Sequence, residues 1–170
     1  MTFRTKPSVL ATILFVVATP IFAQADTKAT TLKHLRTSKE FTLKVAGQMP
    51  DAEYGFKLTP AQMSFGEQIV HLAQAMGNFL EPMSPGARMA KPTSMKKADV
   101  IAYVTKSYDD AIARVSKITN DQLAKTYNGG EGTMTGLESL MEMLDHCTHH
   151  RASAEMYLRA KGITPTDYEY

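Results

Sequence analysis

The chain of 170 residues contains one cysteine and therefore cannot form an internal disulfide. Its stability must come from a hydrophobic core, even in an oxidising compartment. No block of like charge and no basic stripe occurs, which argues against nucleic acid as a partner. The apolar run Val9–Ala18 is too short to span a bilayer, because a transmembrane helix needs ~20 residues. No internal repeat or low-complexity tract divides the rest, so a single domain is expected.

The N-terminal segment is typical of an export signal. Arg4 and Lys6 precede the apolar run, and Ala23-Gln24-Ala25 has the small-residue pattern that signal peptidases cleave. We expect a signal peptide over residues 1–25, cleavage after Ala25, and a periplasmic or secreted domain over residues 26–170. An uncleaved membrane anchor is the alternative; after cleavage no stable membrane anchor would remain.

Cleavage would also remove the basic excess of the chain. The full sequence has 19 Lys and Arg against 17 Asp and Glu. Because Arg4 and Lys6 lie in the signal segment and no acid does, the mature chain would have 17 of each. The basic isoelectric point of the full chain therefore arises largely from the two basic residues of the export signal.

The mature sequence predicts an all-α fold, a four-helix bundle. Apolar residues recur at spacings of three and four rather than in alternation. Two capping boxes, Ser64 with Glu67 and Thr135 with Glu138, begin the second and fourth helices. We expect the first helix over about residues 30–47, the third after Ser94, and the fourth as far as residue 161. Residues 81–92 should be a non-helical connection, and "YNGGEG" (residues 127–132) a flexible link.

The fourth helix contains "HCTHH", residues 146–150. His146 and His150 are one turn apart on the same face, with Cβ atoms ~6 Å from each other, so both imidazoles can reach one ion. The same spacing also fits two exposed histidines without a ligand. A zincin protease is disfavoured, because Cys147 occupies the place of the glutamate in HExxH. A catalytic metal site usually needs a third protein ligand, and His34, His71 and His149 are the candidates.

Two segments resemble the DinB/YfiT-like family of metal-dependent four-helix-bundle enzymes: "SFGEQIVHLAQA" and "DHCTHHRASAEMYLRAKGITP". The family has one histidine on the second helix and an HxxxH pair on the last, followed by a tail like "YLRxxGIxP". Carried over residue by residue, the resemblance implies a three-histidine divalent metal site at His71, His146 and His150. Its candidate metals are zinc, nickel and iron, with zinc as the default. Relatives often have Gly-Gln where this chain has Ala152-Ser153, so the family's substrates do not carry over.

Three further residues are candidates for a supporting role at this site. Glu67 lies one turn before His71 and can accept a hydrogen bond from its ring, although its capping box is the simpler explanation. Arg151 can hold an anionic group of a substrate or form an ordinary surface pair with Glu155. Ser153 stands where relatives carry the glutamine. No catalytic residue is assigned.

Three functions follow from these patterns. The first is an exported metal-dependent enzyme of hydrolase or group-transferase type, acting on an unidentified small molecule; relatives include transferases and isomerases that use thiols. The second is a non-catalytic protein that binds or sequesters metal. The third is a structural bundle with exposed histidines. The oligomeric state stays open, with a homodimer as one alternative.

Overall fold

The computed structural model describes residues 22–129 and 132–168, with side chains from Thr27 onward. Four long helices and a small insertion make up the fold. The long helices are α1 (Phe22–Gln48), α2 (Phe65–Leu80), α3 (Lys97–Lys117) and α5 (Gly136–Ala160). Between α3 and α5 lie the short helix α4 (Asn120–Ala124) and the strands β1 (Thr126–Gly129) and β2 (Gly132–Thr135). The prediction of an all-α four-helix bundle is confirmed.

Both predicted capping boxes are present. The Ser64 amide donates to Glu67 Oε2 at 2.6 Å, and the Glu67 amide donates to Ser64 Oγ at 3.3 Å. Thr135 and Glu138 make the same reciprocal pair at the start of α5. Each box satisfies two amides that the first helical turn leaves without partners.

The other end of α5 stops at a glycine. Gly162 has φ +72°, a left-handed conformation that costs a glycine little. The amide of Ile163 donates to the Leu158 carbonyl, and the amide of Gly162 donates to the Arg159 carbonyl, both at 2.9 Å. This is the Schellman pattern, and it confirms the predicted stop.

A distant side chain caps α3. The Asp51 carboxylate accepts a hydrogen bond from the Lys97 amide at 2.6 Å, in the place of a local N-cap. The Lys97 ammonium donates in turn to the Met49 carbonyl at 3.0 Å, just beyond the end of α1. The start of α3 is thereby tied to the end of α1.

Consecutive helices are not always neighbours in the bundle. Helix α1 packs against α3 and α5, and α2 packs against the same two helices. Hence α1 and α2 lie across the diagonal, and the connection between them crosses one end of the bundle. This order places α2 beside α5, the two helices that carry the predicted metal ligands.

The core includes most of the apolar residues of α5. Leu140, Cys147 and Leu158 are buried, whereas Leu144 is half-buried and Leu137 is exposed. Met143, Arg151 and Tyr157 are also buried, which makes the buried face of α5 broad. The largest fully buried side chains across the fold include Tyr54, Tyr108, Tyr157, Phe41 and Phe65.

The prediction of a flexible link over residues 127–132 was wrong, because the described residues of this segment lie in strands. Strands β1 and β2 form an antiparallel hairpin there, with Tyr127 opposite Met134. Each strand has only four residues and is largely exposed. Because neither strand has a buried face, the sequence lacks the alternation of apolar and polar residues that predicts a strand. Gly132, the first residue of β2, has φ +111°, a conformation that favours glycine.

The start of α1 and the loop after α2 were also predicted from the sequence. Helix α1 begins at Phe22, eight residues before the expected start at Thr30. Residues 81–92 contain no helix, as predicted, and α3 begins at Lys97, three residues after Ser94. The buried Arg114 stabilises this loop by donating from Nε to the Ser84 carbonyl at 2.7 Å.

The expected signal peptide lies mostly outside the described residues, which begin at Phe22. In the described part of the chain, no helix is long and apolar enough to cross a membrane.

Candidate metal centre

His146 and His150 lie at the edge of the buried face of α5. Both side chains are half-buried, and their ring centroids are 4.5 Å apart. The centre of the buried face is near Cys147 and Ala154, so at 100° per residue the two histidines lie to one side of it, toward α2. This placement is why periodicity alone could not separate a buried pair from an exposed one.

His71 completes the group from α2. Its ring centroid is 5.2 Å from that of His146 and 4.5 Å from that of His150. One ring nitrogen from each residue lies within 4.8 Å of the other two. Among the described residues, this is the group of three or more histidine, cysteine or acidic side chains that converges closely enough for a metal ion.

The donor set fits a divalent ion. Nitrogens bound to one zinc at ~2.0–2.1 Å lie about 3.4 Å apart in tetrahedral geometry, so small ring rotations close the gap from 4.8 Å. The Nε2 atom of His146 is itself buried. Three nitrogen ligands would leave at least one coordination position of a bound ion open, as in zinc sites of the catalytic type.

The surroundings also favour the neutral imidazole, the form that binds metal. Burial, followed by charge repulsion from the neighbouring His146, His71 and His149, lowers the pKa of His150 to about 4. Burial, followed by the charge of Lys91, lowers the pKa of His71. Each of these nitrogens therefore keeps its lone pair at neutral pH.

Gln68 orients His150 and was missed by the sequence analysis. Its Oε1 lies 2.6 Å from Nδ1 of His150, and its side chain is only 9% exposed. A carbonyl oxygen can only accept, so Nδ1 carries the proton and donates, and Nε2 is left as the ligand atom. Gln68 is one turn before His71 on the same face of α2, a spacing that marks it as a neighbour of the metal ligand.

Glu67 and Ser153 are engaged elsewhere. The exposed Glu67 carboxylate accepts from the Ser64 amide and lies 3.8 Å from the Lys57 ammonium. Its hydrogen bonds to Ser64 lower the pKa of Glu67. The Ser153 hydroxyl donates to the His149 carbonyl of its own helix at 3.0 Å.

Arg151 is buried, so its interpretation as a surface residue was wrong, although its charge does act on the Glu155 carboxylate one turn along α5. It is only 4% exposed and donates to Ser38 Oγ of α1 at 2.9 Å. At 100° per residue its direction from the α5 axis is about 120° from the midpoint of His146 and His150. The guanidinium therefore faces α1, away from the histidine group.

The remaining histidines and the cysteine lie outside the group. His149 is exposed, with its ring centroid 4.9 Å from that of His150, and His34 is exposed on α1. Cys147 is fully buried, and this burial raises the pKa of its thiol to about 12. A thiol in this state is a poor nucleophile and a poor metal ligand.

The fold recurs in several solved structures. A DinB-like protein from Bacillus cereus superposes with a TM-score of 0.72 at 18% identity, over 83% of this chain and 97% of that chain. A DinB-like protein from Bacillus subtilis, YjoA, gives 0.69 at 18% identity, over 82% of this chain and 96% of that chain. No curated protein sequence matches the chain.

A third structure carries a functional description. YfiT from Bacillus subtilis, described as a probable metal-dependent hydrolase with an unusual four-helix bundle topology, superposes with a TM-score of 0.64. It is 15% identical, over 81% of this chain and 89% of that chain. At the level of sequence, the family model of DinB matches residues 23–170. A match of this extent covers most of the sequence, and the chain therefore belongs to the DinB family.

Proposed function

We propose that this DinB protein is a metal-dependent enzyme of the hydrolase or group-transfer type, with one divalent ion held by His71, His146 and His150. The observation that carries the proposal is the convergence of three half-buried imidazoles from α2 and α5, with ring nitrogens within 4.8 Å of one another. The description of YfiT as a probable metal-dependent hydrolase supports the same class of reaction. Zinc is the default ion for three nitrogen ligands, with nickel and iron as alternatives.

The residues of the chain have separate tasks in this proposal. The three imidazoles hold the ion, and Gln68 fixes the tautomer and ring orientation of His150. Phe79, whose ring centroid is 5.6 Å from that of His146, provides an apolar wall at one side of the group. A bound divalent ion supplies Lewis acidity and lowers the pKa of a water or substrate thiol in its open position.

A non-catalytic metal-binding protein is the second candidate. Among the described residues, no carboxylate converges with the three histidines closely enough to share the ion with them. The hydroxyl of Ser153, where relatives often carry a glutamine, bonds to its own helix. Both observations favour metal binding or sequestration without turnover.

We also propose export, from Arg4, Lys6, the short apolar run and Ala23-Gln24-Ala25. Intact-mass analysis of the protein from its native source should give Asp26 as the first residue. A cytosolic product that keeps Met1 would contradict this proposal.

Elemental analysis of the mature, untagged protein tests the metal site. We expect about one divalent ion per chain, and sharply less in each of His71→Ala, His146→Ala and His150→Ala, since two nitrogens hold an ion far less tightly than three. His34→Ala and His149→Ala are matched controls that should keep the ion. If His149→Ala loses the ion and His150→Ala keeps it, the ligand set is wrong.

Activity separates the two candidates once the metal is established. Loaded protein should be assayed on ester, amide and phosphoester panels, and on transfer substrates with and without added low-molecular-weight thiols. Turnover that disappears in His71→Ala and persists in His34→Ala would support the enzyme. A loaded protein without turnover on any panel would favour the metal-binding alternative.

A further inference from the structure

A cavity opens between α1 and α5, on the side of α5 away from the histidines. Its volume is about 460 Å³, a size that suits a small organic ligand. The lining residues that matter here are Thr37, Leu144, Asp145, Thr148, Arg151 and Tyr168. At 100° per residue, Thr148 lies about 180° from the midpoint of His146 and His150, so this cavity is separate from the metal centre.

Arg151 is the buried charge of this cavity. It is 4% exposed, donates to Ser38 Oγ at 2.9 Å and to Thr148 Oγ1 at 3.4 Å, and stacks 4.5 Å from the centre of the Phe41 ring. All three partners are neutral. Of the ion pairs in the described parts of the chain, none includes Arg151.

A buried guanidinium without a carboxylate is costly, because the charge gives up hydration and gains only neutral partners. Arg114, the other buried arginine of the described residues, shows the contrast: its guanidinium lies 3.3 Å from the Asp110 carboxylate and 3.5 Å from that of Glu81. Within residues 22–129 and 132–168, Arg151 has no carboxylate at such a distance, although its charge acts on the Glu155 carboxylate one turn along α5, and it borders an open cavity. An anion that entered the cavity would supply the missing charge.

We propose that the α1–α5 cavity binds a small monocarboxylate with a short apolar body, anchored by Arg151. The planar guanidinium matches a carboxylate in shape and can donate to both of its oxygens. Leu144 and Met141 provide apolar wall for the body of the ligand. Asp145 and Glu142 also line the cavity, and their negative charge opposes a second charge on the ligand, so a dicarboxylate or a phosphate dianion should be excluded.

The probes are isocaproate, its uncharged amide isocaproamide, and the dicarboxylate glutarate. Binding to the mature chain is followed by NMR through the backbone amides of Thr37 and Thr148, which lie on opposite walls of the cavity. Isocaproate should shift both amides saturably, whereas isocaproamide and glutarate should not. The absence of a saturable shift with isocaproate, or an equal response to the amide, would overturn the proposal.

Variants locate the anchor. Arg151→Gln should weaken isocaproate binding at least about tenfold, because it removes the charge-assisted hydrogen bonds. Asp145→Asn should tighten binding about twofold to fivefold by removing a like charge. Glu40→Gln removes an exposed acid of α1 that does not line the cavity, and it should change nothing.

Two outcomes would overturn the proposed α1–α5 site even if isocaproate binds to the protein. A folded Arg151→Gln protein that binds isocaproate normally would overturn the role of the guanidinium. If that variant does not fold, Asp145→Asn decides, and an unchanged affinity there would overturn the proposal. His71→Ala should bind isocaproate normally, so loss of the metal site does not affect this test.

Discussion

Replacement of Gln68 by leucine tests whether the metal centre depends on a residue that does not touch the ion. Leucine has a similar volume and is compatible with the buried position, but it cannot accept the hydrogen bond from His150 Nδ1 that measures 2.6 Å. The ring of His150 is then free to rotate or to change its tautomer. The metal ligands themselves stay in the chain.

The expected loss of metal affinity follows from the role of residues that orient a metal-bound histidine. Removing the group that orients a metal-bound histidine typically weakens metal binding by about 10–100-fold. This corresponds to about 1.4–2.7 kcal/mol of binding free energy. Because the ion binds the folded protein, the stabilisation that saturating metal gives should shrink by the same amount. The metal-free protein should lose only about 1 kcal/mol, the usual net value of one hydrogen bond.

The assay is a competition titration against a chromogenic chelator, combined with thermal melts with and without zinc. Gln74→Leu is the matched control: Gln74 is one turn after His71 on the same helix and lines a different, small cavity. Gln68→Glu is the rescue variant, since a carboxylate also accepts from Nδ1 and should restore the affinity. If Gln68→Leu binds zinc as tightly as Gln74→Leu, or if Gln68→Glu binds as weakly as Gln68→Leu, Gln68 does not position the ligand.

Three further predictions concern the fold and its titration. Gly136→Ala should destabilise the protein by about 1–3 kcal/mol in urea unfolding, because the new Cβ would clash with the Gln122 carbonyl oxygen. Gly47→Ala should not, because no atom lies within 4 Å of the new Cβ, and equal effects of the two substitutions would contradict the packing argument. Cys147 should resist thiol reagents in the native protein at pH ~8 and react after denaturation, because burial raises the pKa of its thiol to about 12. Rapid labelling of Cys147 in the folded chain would contradict this prediction. The pKa of His150 is about 4 in the folded chain and ~6.5 in the unfolded chain, so the unfolded chain binds more protons between these values. The stability of the metal-free protein should therefore fall as the pH drops through this window. Thermal melts of chelator-treated protein check this, and His150→Gln should flatten the pH dependence of stability.

The parts of the fold that sequence predicts well are those set by neighbouring residues. A capping box requires only a serine or threonine and a glutamate three positions on, and both boxes form where Ser64 and Thr135 predict them. The stop at Gly162 is equally local, because only the left-handed φ of that residue is needed. The spacing of His146 and His150 likewise places both on one face of α5 before any tertiary contact is known.

Contacts between helices could not be predicted in the same way. The bond from Gln68 to His150 depends on the rotation of α2 against α5, which no spacing within either helix specifies. The burial of Arg151 depends on Ser38 and Phe41 of α1, whose position beside α5 follows from the order of helices in the bundle. The spacing of Arg151 and Glu155 along α5 is typical of a surface pair. The sequence shows the charge of Arg151 but not the hydroxyl and the aromatic ring that contact it in the fold.

The order of helices gives α5 two chemically different edges. One edge meets α2, where three imidazoles converge closely enough to hold a cation. The other edge meets α1, where the proposed carboxylate site lies beside Arg151. Between these edges lies the apolar face that includes Cys147, fully buried in the core. Because this face is closely packed, a ligand at one edge has no open path to the other, and coupling between the sites would require a shift or rotation of α5 itself. Metal binding would restrain such movement, since it joins α5 to α2, the diagonal neighbour of α1.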